Sequence, residues 1–194
     1  VMDSAVVASP LKLYDCCPFS DGASSVVLCS EKFAKAHGGD YVEVIGSGRG
    51  GSPAALQGRE HLTTIPSTKI AAADAYKMAG ITAKDVDFAE VHDCFTIAEV
   101  VDTEDLGFFG KGEGIQAIRE DRTKLNSDIS INPSGGLKSK GHPIGATGVG
   151  QVVEVYDQLT GNAGARTVND AKIGLTHNFG ATGASCAVHV FQSV

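Results

Sequence analysis

The chain has 194 residues, of which 42 % are hydrophobic and 20 % charged, as expected for one globular domain with its own core. The formal net charge of -7 argues against nucleic acid or an anionic membrane surface as a partner, because both attract basic faces. No apolar run approaches the roughly 20 residues that cross a bilayer. We therefore expect neither a nucleic-acid nor a membrane partner.

Strands and helices alternate along the predicted chain. The glycine series Gly46–Gly51 formally fits a dinucleotide-binding pattern, but Ser52 and Pro53 follow it where that motif must open a helix. We therefore interpret residues 46–66 as an irregular loop. The predicted elements of the first half are a buried strand at 23–29, a helix at 31–37 capped by Ser30, a strand at 41–46, and a helix at 68–79 capped by Ser67 and ended by Gly80.

The second half repeats the alternation. Its predicted elements are a strand at 86–91, a helix at 96–106, a polar loop with some helix at 110–128, a strand at 130–132, a glycine-rich stretch at 133–148, a helix at 148–159, and strands at 172–177 and 184–191. Strands that alternate with helices indicate an α/β layered domain. We find no internal repeat and no linker, and so treat residues 1–194 as one domain.

Five cysteines occur, at an odd count and without any Cys-x-x-Cys pair. That pattern favours free thiols over a zinc knuckle or a redox dithiol, and the histidines at 92, 142 and 177 lack ligand spacing. We expect no metal and no resident cofactor. The chain shows no secretory signal, so a reducing, cytoplasmic compartment is the expected location.

The first motif with chemical potential is His92-Asp93-Cys94-Phe95, between a predicted strand and a predicted helix. Ligands of α/β sheets bind beyond the carboxyl ends of strands. A cysteine at a helix N-terminus lies at the positive end of the macrodipole, which favours the thiolate. The alternative interpretation is a buried thiol beside a helix cap.

The other two motifs are glycine turns. One is the stretch from Asn132 to Gly148, where five glycines and two prolines enclose His142. The other begins at His177-Asn178 and continues through Gly180, where backbone N–H groups could form an oxyanion hole, unless it is an ordinary hairpin turn. A histidine, a cysteine and exposed backbone amides fit acyl transfer or carbon–carbon bond formation at a thioester.

Together these motifs resemble the thiolase superfamily, in the form of its SCP2-type and archaeal-type branch. His-Asp-Cys-Phe at 92–95 resembles that branch's version of the Asn-Glu-Ala-Phe block, and Gly141-His142-Pro143 matches the family's Gly-His-Pro motif. Ser20-Asp21-Gly22-Ala23 resembles the segment that opens the second thiolase domain, and residues 178–180 lie where the family has Cys-x-Gly. The resemblance implies a thiolase-type layered domain, with a mixed five-stranded sheet and helices on both faces.

The resemblance also implies roles for individual residues. His142 would activate the nucleophile and help bind the thioester oxygen, and His92 would replace the asparagine that positions a water in the first oxyanion hole. Gly180 would donate its N–H to the second hole. The same motifs place Asn178, Phe95, Gly141 and Pro143 against the substrate, a coenzyme A thioester.

One departure from the family's motifs moves the acid/base group. Asn178 stands where Cys-x-Gly has its cysteine, so the resemblance assigns proton transfer to Cys94, while Cys186 is expected to pack inside the last strand. Lys138 and Lys140 are a second departure, either solvated or near the phosphate end of coenzyme A.

The largest departure is length, because a thiolase chain is about twice as long. We expect the N-terminal thiolase domain with its nucleophilic cysteine to be absent, which leaves two hypotheses. In the first, the chain is the C-terminal part of an acetyl-CoA acetyltransferase or 3-ketoacyl-CoA thiolase and is inactive alone. In the second, it is a non-catalytic scaffold, or a subunit of a lipid-transfer or aldolase assembly. Hydroxymethylglutaryl-CoA synthase, a third option, is disfavoured because that branch uses a glutamate base.

The resemblance implies partners as well. Thiolases are generally dimers or tetramers, so it implies a homo-oligomer that contains the missing N-terminal half. The archaeal-type branch also associates with a small zinc protein of the OB fold.

Overall fold

A computed structural model describes residues 1–194, the whole chain. Thirteen helices and strands follow one another, and four short 3₁₀ helices lie among them. In chain order they are β1 (Val6–Ala8), β2 (Leu11–Lys12), α1 (Glu31–His37), β3 (Val42–Gly51), α2 (Pro66–Ala79), β4 (Phe88–Glu90), α3 (Thr96–Asp105), α4 (Gly114–Arg119), β5 (Ser130–Ile131), α5 (Gly136–Lys140), α6 (Thr147–Leu159), β6 (Ile173–Gly180) and β7 (Ser185–Ser193).

Five strands form one mixed sheet in the order β3-β7-β6-β4-β5, as the resemblance implied. β7 pairs antiparallel with both of its neighbours, whereas β6, β4 and β5 are parallel. Parallel strands end at the same edge of a sheet. The residues that follow β4 and β5 therefore lie beside the last residues of β6, and this edge carries the candidate site.

Helices cover both faces of the sheet. Successive strand residues point to opposite sides, so apolar residues on both faces pack against helices. In β7, Val188 and Val190 pack on the face covered by α2, and Phe191 points to the face covered by α6. The larger core lies on the α2 face and includes Ala71, Ala75, Val91, Leu106, Leu175, Val188 and Val190. The smaller core consists of Phe88, Val155, Val168 and Phe191.

The predicted loop at 46–66 is wrong in its first six residues, because β3 continues to Gly51. Alternate glycines of this strand lie directly against the backbone of α2. A Cβ atom would stand 1.9 Å from the Ala71 carbonyl oxygen at Gly48 and 1.9 Å from that of Ser67 at Gly50. The glycines therefore permit close strand–helix packing, which explains a pattern that resembled a ligand loop.

The buried strand predicted at 23–29 is absent as well. Residues 21–30 belong to no helix or strand, and Val27 and Leu28 are 88 % and 81 % exposed. A strand needs a neighbour to pair its backbone N–H and C=O groups. The five-stranded sheet leaves this apolar run without such a neighbour, so the local pattern alone does not produce a strand.

Most other predictions are confirmed to within a few residues. Ser30 caps α1 and accepts a hydrogen bond from the Phe33 N–H at 3.3 Å. Ser67 is not the cap of α2, which begins at Pro66; its hydroxyl instead donates to the Gly183 carbonyl at 2.7 Å. The helices are all too short or too polar to cross a membrane.

Candidate functional site

The site lies at the sheet edge where β4, β5 and β6 end. His92-Asp93-Cys94-Phe95 follows β4, the glycine-rich stretch follows β5, and Asn178 is near the end of β6. The parallel pairing of β4 with both β5 and β6 thus brings three sequence motifs together. Residues separated by more than 80 positions become neighbours at this edge.

His92 is the centre of this arrangement. Its Nδ1 atom lies 2.9 Å from Asn178 Oδ1, and its ring centroid lies 4.9 Å from that of His142 in an edge-on arrangement. Only 7 % of His92 is exposed. Burial lowers the pKa of His92 to about 4, the Asn178 hydrogen bond partly opposes the shift, and His142 adds to it. His92 is therefore neutral at pH 7.

His142 occupies the turn between α5 and α6. Its Nδ1 atom lies 2.7 Å from the Thr147 hydroxyl, and its backbone N–H donates to the Pro18 carbonyl at 2.9 Å. Burial lowers the pKa of His142, and the charge of Asp93 opposes that shift. The second histidine is thus also neutral and is fixed through both side chain and backbone.

The protonation state of Cys94 differs from the one that its sequence position predicted. It precedes α3 by two residues, but burial, followed by the charge of Asp102, raises its pKa to about 12. The predicted helix-dipole stabilisation of a thiolate is therefore outweighed by desolvation. Cys94 is a protonated thiol at neutral pH and can protonate only a group that is more basic than its own thiolate.

Two buried carboxylates anchor the glycine-rich stretch to the end of β4. Asp93 accepts the Leu137 N–H at 2.8 Å, and Glu90 accepts the Ser134 N–H at 3.0 Å and its hydroxyl at 2.6 Å. Lys140 forms an ion pair with Glu90 at 3.4 Å, so it is not simply solvated. These contacts fix the loop that carries His142.

A segment near the start of the chain connects the two motif loops. The Cys17 N–H donates to the Cys94 carbonyl at 2.9 Å, and Pro18 receives the hydrogen bond from His142. Cys16 forms a single β-bridge with Phe95, and Phe19 forms one with His142. We call residues 16–20 the strap. Sequence reasoning missed it because neither cysteine belongs to a motif.

The remaining predicted residues lie around this centre. Gly180 follows Asn178 by two positions on the same face of β6, and Phe95 is 40 % exposed at the N-cap of α3. Gly141 has a φ of +81°, and a Cβ there would stand 2.4 Å from Ser20 Oγ. Pro143 lies against Gly22. The structure therefore groups Phe95, Gly141 and Pro143 with the strap and its continuation.

His177 points away from the site despite its place beside Asn178. It is fully buried on the α2 face, 2.9 Å from Thr68 Oγ1 and 3.7 Å from Asp102 Oδ2. Cys186 lies buried nearby, with its Sγ atom 3.6 Å from the same hydroxyl, as expected for a packing residue. No three His, Cys, Asp or Glu side chains come close enough to ligate a metal ion.

Gln151 is a site residue that the sequence did not reveal. It lies on α6 and is 1 % exposed. Its side chain accepts a hydrogen bond from Asn178 and donates one to the Val91 carbonyl. Thr147 lies in the predicted glycine-rich stretch, but no role was predicted for it. For Gln151 the only signal in the sequence was the apolar stripe of its helix, and that stripe does not indicate what the helix packs against.

Comparison with known proteins shows the family of the chain. The model of the family described as "Thiolase C-terminal domain-like" matches residues 48–193. An acetyl-CoA acetyltransferase of Methanothermobacter thermautotrophicus is 49 % identical over 99 % of this chain and 50 % of its own length. Human sterol carrier protein 2 is 38 % identical over 95 % of this chain and 35 % of its own length.

Two further proteins are similar to this chain. The benzoylsuccinyl-CoA thiolase subunit BbsB of Thauera aromatica is 37 % identical over 96 % of this chain and 48 % of its own length. A solved "Ltp2-ChsH2(DUF35) aldolase" superposes with a TM-score of 0.84 at 21 % identity, over 99 % of this chain and 50 % of its own, a likeness of fold alone. The chain spans about half the length of the acetyltransferases it matches, and it belongs to the thiolase family as its C-terminal domain type.

Proposed function

We propose that the chain supplies the acid/base half of a thiolase, which catalyses reversible Claisen condensation and thiolysis of acyl-CoA thioesters such as acetoacetyl-CoA or a longer 3-ketoacyl-CoA. The observation that carries the proposal is the meeting of two neutral histidines, 4.9 Å apart, in loops that also hold a protonated cysteine. The N-terminal half supplies the nucleophilic cysteine.

His142 is the proposed base for that nucleophile. A neutral imidazole with one hydrogen-bonded nitrogen can accept a proton on the other. In thiolysis, His142 takes the proton of the nucleophilic thiol, and the thiolate attacks the 3-keto carbon of the substrate. The bond between C2 and C3 then breaks, and its electron pair stays on C2.

Cys94 is the proposed acid for the departing carbon. Because burial raises its pKa to about 12, the thiol holds the proton that the carbanion at C2 requires. Acetyl-CoA leaves, and Cys94 recovers a proton from the incoming coenzyme A thiol, whose sulfur attacks the acyl-enzyme. Acyl-CoA is released, His142 returns its proton to the nucleophilic cysteine, and no net charge remains.

The oxyanion that forms in each step needs hydrogen-bond donors. We assign one hole to His142 together with a water held by His92, and the second to the backbone N–H of Gly180. Asn178, Phe95, Gly141 and Pro143 are the residues proposed to contact the thioester. Homo-oligomerisation and binding of a small OB-fold zinc protein are further parts of the proposal, supported by the family resemblance alone.

The test is reconstitution with the missing half. The chain is fused to the first half of the Methanothermobacter acetyltransferase, and acetoacetyl-CoA thiolysis is followed by loss of substrate. Cys94→Ser and His142→Ala should each lower the rate by roughly 10²-fold or more, because each removes a proton-transfer group. Cys29→Ser is the matched control, since Cys29 is exposed and outside the site, and it should leave the rate unchanged.

The second hypothesis, a non-catalytic scaffold or a lipid-transfer or aldolase-assembly subunit, predicts a different result. An active fusion in which Cys94→Ser and His142→Ala both stay within twofold of the parent would show that the proposed roles are wrong. A folded fusion without thiolysis activity would favour the scaffold. The names of the relatives, among them sterol carrier protein 2, are compatible with either hypothesis.

A further inference from the structure

The buried side chain of Gln151 has only one consistent orientation. Its Nε2 atom lies 3.2 Å from the Val91 carbonyl oxygen, which can only accept a hydrogen bond. The amide must therefore direct its NH₂ group to Val91 and its Oε1 atom to Asn178. Gln151 is 1 % exposed, and both ends of its amide are occupied by these protein partners.

The orientation of Gln151 fixes that of Asn178, which in turn fixes the position of the ring proton on His92. We call such a chain of hydrogen bonds a relay. Because the Gln151 oxygen can only accept, Asn178 must donate to it through Nδ2 and present Oδ1 on its other side. His92 Nδ1 lies 2.9 Å from that oxygen. Two acceptors cannot share a hydrogen bond, so Nδ1 carries the ring proton and Nε2 of the neutral ring holds a lone pair.

A second, separate relay leads to His142. The Thr147 hydroxyl lies 3.1 Å from the Pro143 carbonyl oxygen, which also accepts the backbone N–H groups of Ala146 and Thr147, and the second relay requires the hydroxyl hydrogen to point to this oxygen. The hydroxyl can then only accept from His142 Nδ1, at 2.7 Å. This ring, too, carries its proton on Nδ1.

We propose that Gln151 and Thr147 are positioning residues that fix the tautomers of the two site histidines. Each relay begins at a backbone carbonyl oxygen, which can only accept a hydrogen bond. The result is a pair of adjacent rings that both keep Nε2 as an acceptor.

The catalytic meaning of these tautomers rests on the proposed function, whereas the tautomers themselves do not. With Nε2 of His142 unprotonated, the ring is ready to take the proton of the nucleophilic thiol. His92 cannot donate to the thioester oxygen directly. Its Nε2 accepts one hydrogen of a water, and that water donates its other hydrogen to the oxygen.

The tautomers can be read in the chain without substrate. The 194-residue chain is labelled with ¹⁵N, and long-range ¹H–¹⁵N correlation spectra of the histidine rings are recorded near pH 7. Protonated and unprotonated ring nitrogens resonate at separate shifts. His92 and His142 should both show a protonated Nδ1 and an unprotonated Nε2, with assignment by His92→Gln and His142→Gln.

Variants then test the two relays one at a time. Gln151→Leu should raise the share of the Nε2-protonated form of His92 by roughly two- to tenfold, the effect of one lost hydrogen bond, and leave His142 unchanged. Gln158→Leu is the matched control: it removes another buried glutamine of α6, whose partners are Glu154, Arg166 and Val168, and should alter neither ring.

For the second relay, Thr147→Val should change the tautomer ratio of His142 alone, by a similar factor, and Thr147→Ser should restore it. A parent spectrum with the proton on Nε2 of either ring would overturn the assignment, as would equal changes from Gln151→Leu and Gln158→Leu. If Gln151→Leu does not fold, the parent spectrum and the Thr147 pair still decide. If the tautomers are as proposed but the fusion with the N-terminal half is inactive, the proposed function is contradicted and the tautomer assignment stands.

Discussion

Two segments of this chain are rich in glycine, and they use glycine for different physical reasons. In β3, Gly46, Gly48 and Gly50 have ordinary backbone angles and are required because α2 leaves no room for a Cβ atom. In the stretch after β5, Gly136 and Gly141 have φ angles of +64° and +81°, which other residues adopt with strain. The first segment builds the core, and the second shapes the site.

This difference shows why a glycine pattern alone does not identify a ligand loop. The β3 series formally fits a nucleotide motif and serves packing, whereas the later stretch presents His142 and is anchored by buried carboxylates. What separates them is the neighbour across the fold: a helix backbone in one case and the carboxylates that end β4 in the other. Three substitutions test this distinction.

The largest effect is expected in β3. Gly48→Ala would place a Cβ 1.9 Å from the Ala71 carbonyl oxygen, and a helix backbone cannot move aside without losing core packing. We expect a loss of about 3–5 kcal/mol in the free energy of unfolding, measured by urea denaturation. Gly51→Ala on the same strand is the control, because its nearest neighbour would be 4.0 Å away. Equal losses in the two variants would refute the packing explanation.

A pH-dependent effect on stability is expected at the start of the second segment, where Glu99 accepts a hydrogen bond from Asn132 at 3.0 Å. Burial, with the charge of Asp93, raises the pKa of Glu99 from 4.5 to about 7. The folded chain therefore binds this proton more tightly than the unfolded chain, and stability falls as the pH rises from about 4.5 to 7.

Glu99→Gln should remove that dependence. The variant and the parent should unfold at similar urea concentrations at pH 4, and the variant should be more stable at pH 8 by up to about 3 kcal/mol. Glu60→Gln, at a side chain that is 90 % exposed, should show no such difference. A constant difference between Glu99→Gln and the parent across this pH range would mean that Glu99 titrates normally.

The smallest effect is expected at Gly136. An alanine Cβ would lie 2.3 Å from Asp93 Oδ2 in a backbone conformation that disfavours it, which should weaken the Asp93–Leu137 hydrogen bond. We expect a loss of about 2 kcal/mol in unfolding free energy, from strain and one hydrogen bond to a charged group. Gly145→Ala, with open space around it, is the control. Unchanged stability in Gly136→Ala would mean that the loop tolerates movement of Asp93.

Much of the fold followed from local patterns. The capped helix α1, the strands around residues 88 and 130, and the final pair of strands were predicted because caps and alternation act over a few residues. The His-Asp-Cys-Phe and Gly-His-Pro motifs were likewise visible, since their residues are adjacent. Residues 23–29 were misread as a strand because a run of small and branched residues does not show whether a pairing partner exists.

The sequence by itself determined the α/β alternation, the mixed five-stranded sheet through its family resemblance, and the identity of His92, Cys94 and His142 as candidates. Only the tertiary structure decided that Cys94 is a neutral thiol, because desolvation depends on what packs around it. It also decided that Gln151 contacts the partner of His92, that Thr147 contacts His142, and that the strap joins the two histidine loops. These properties depend on atoms brought together from distant positions, which no short-range pattern encodes.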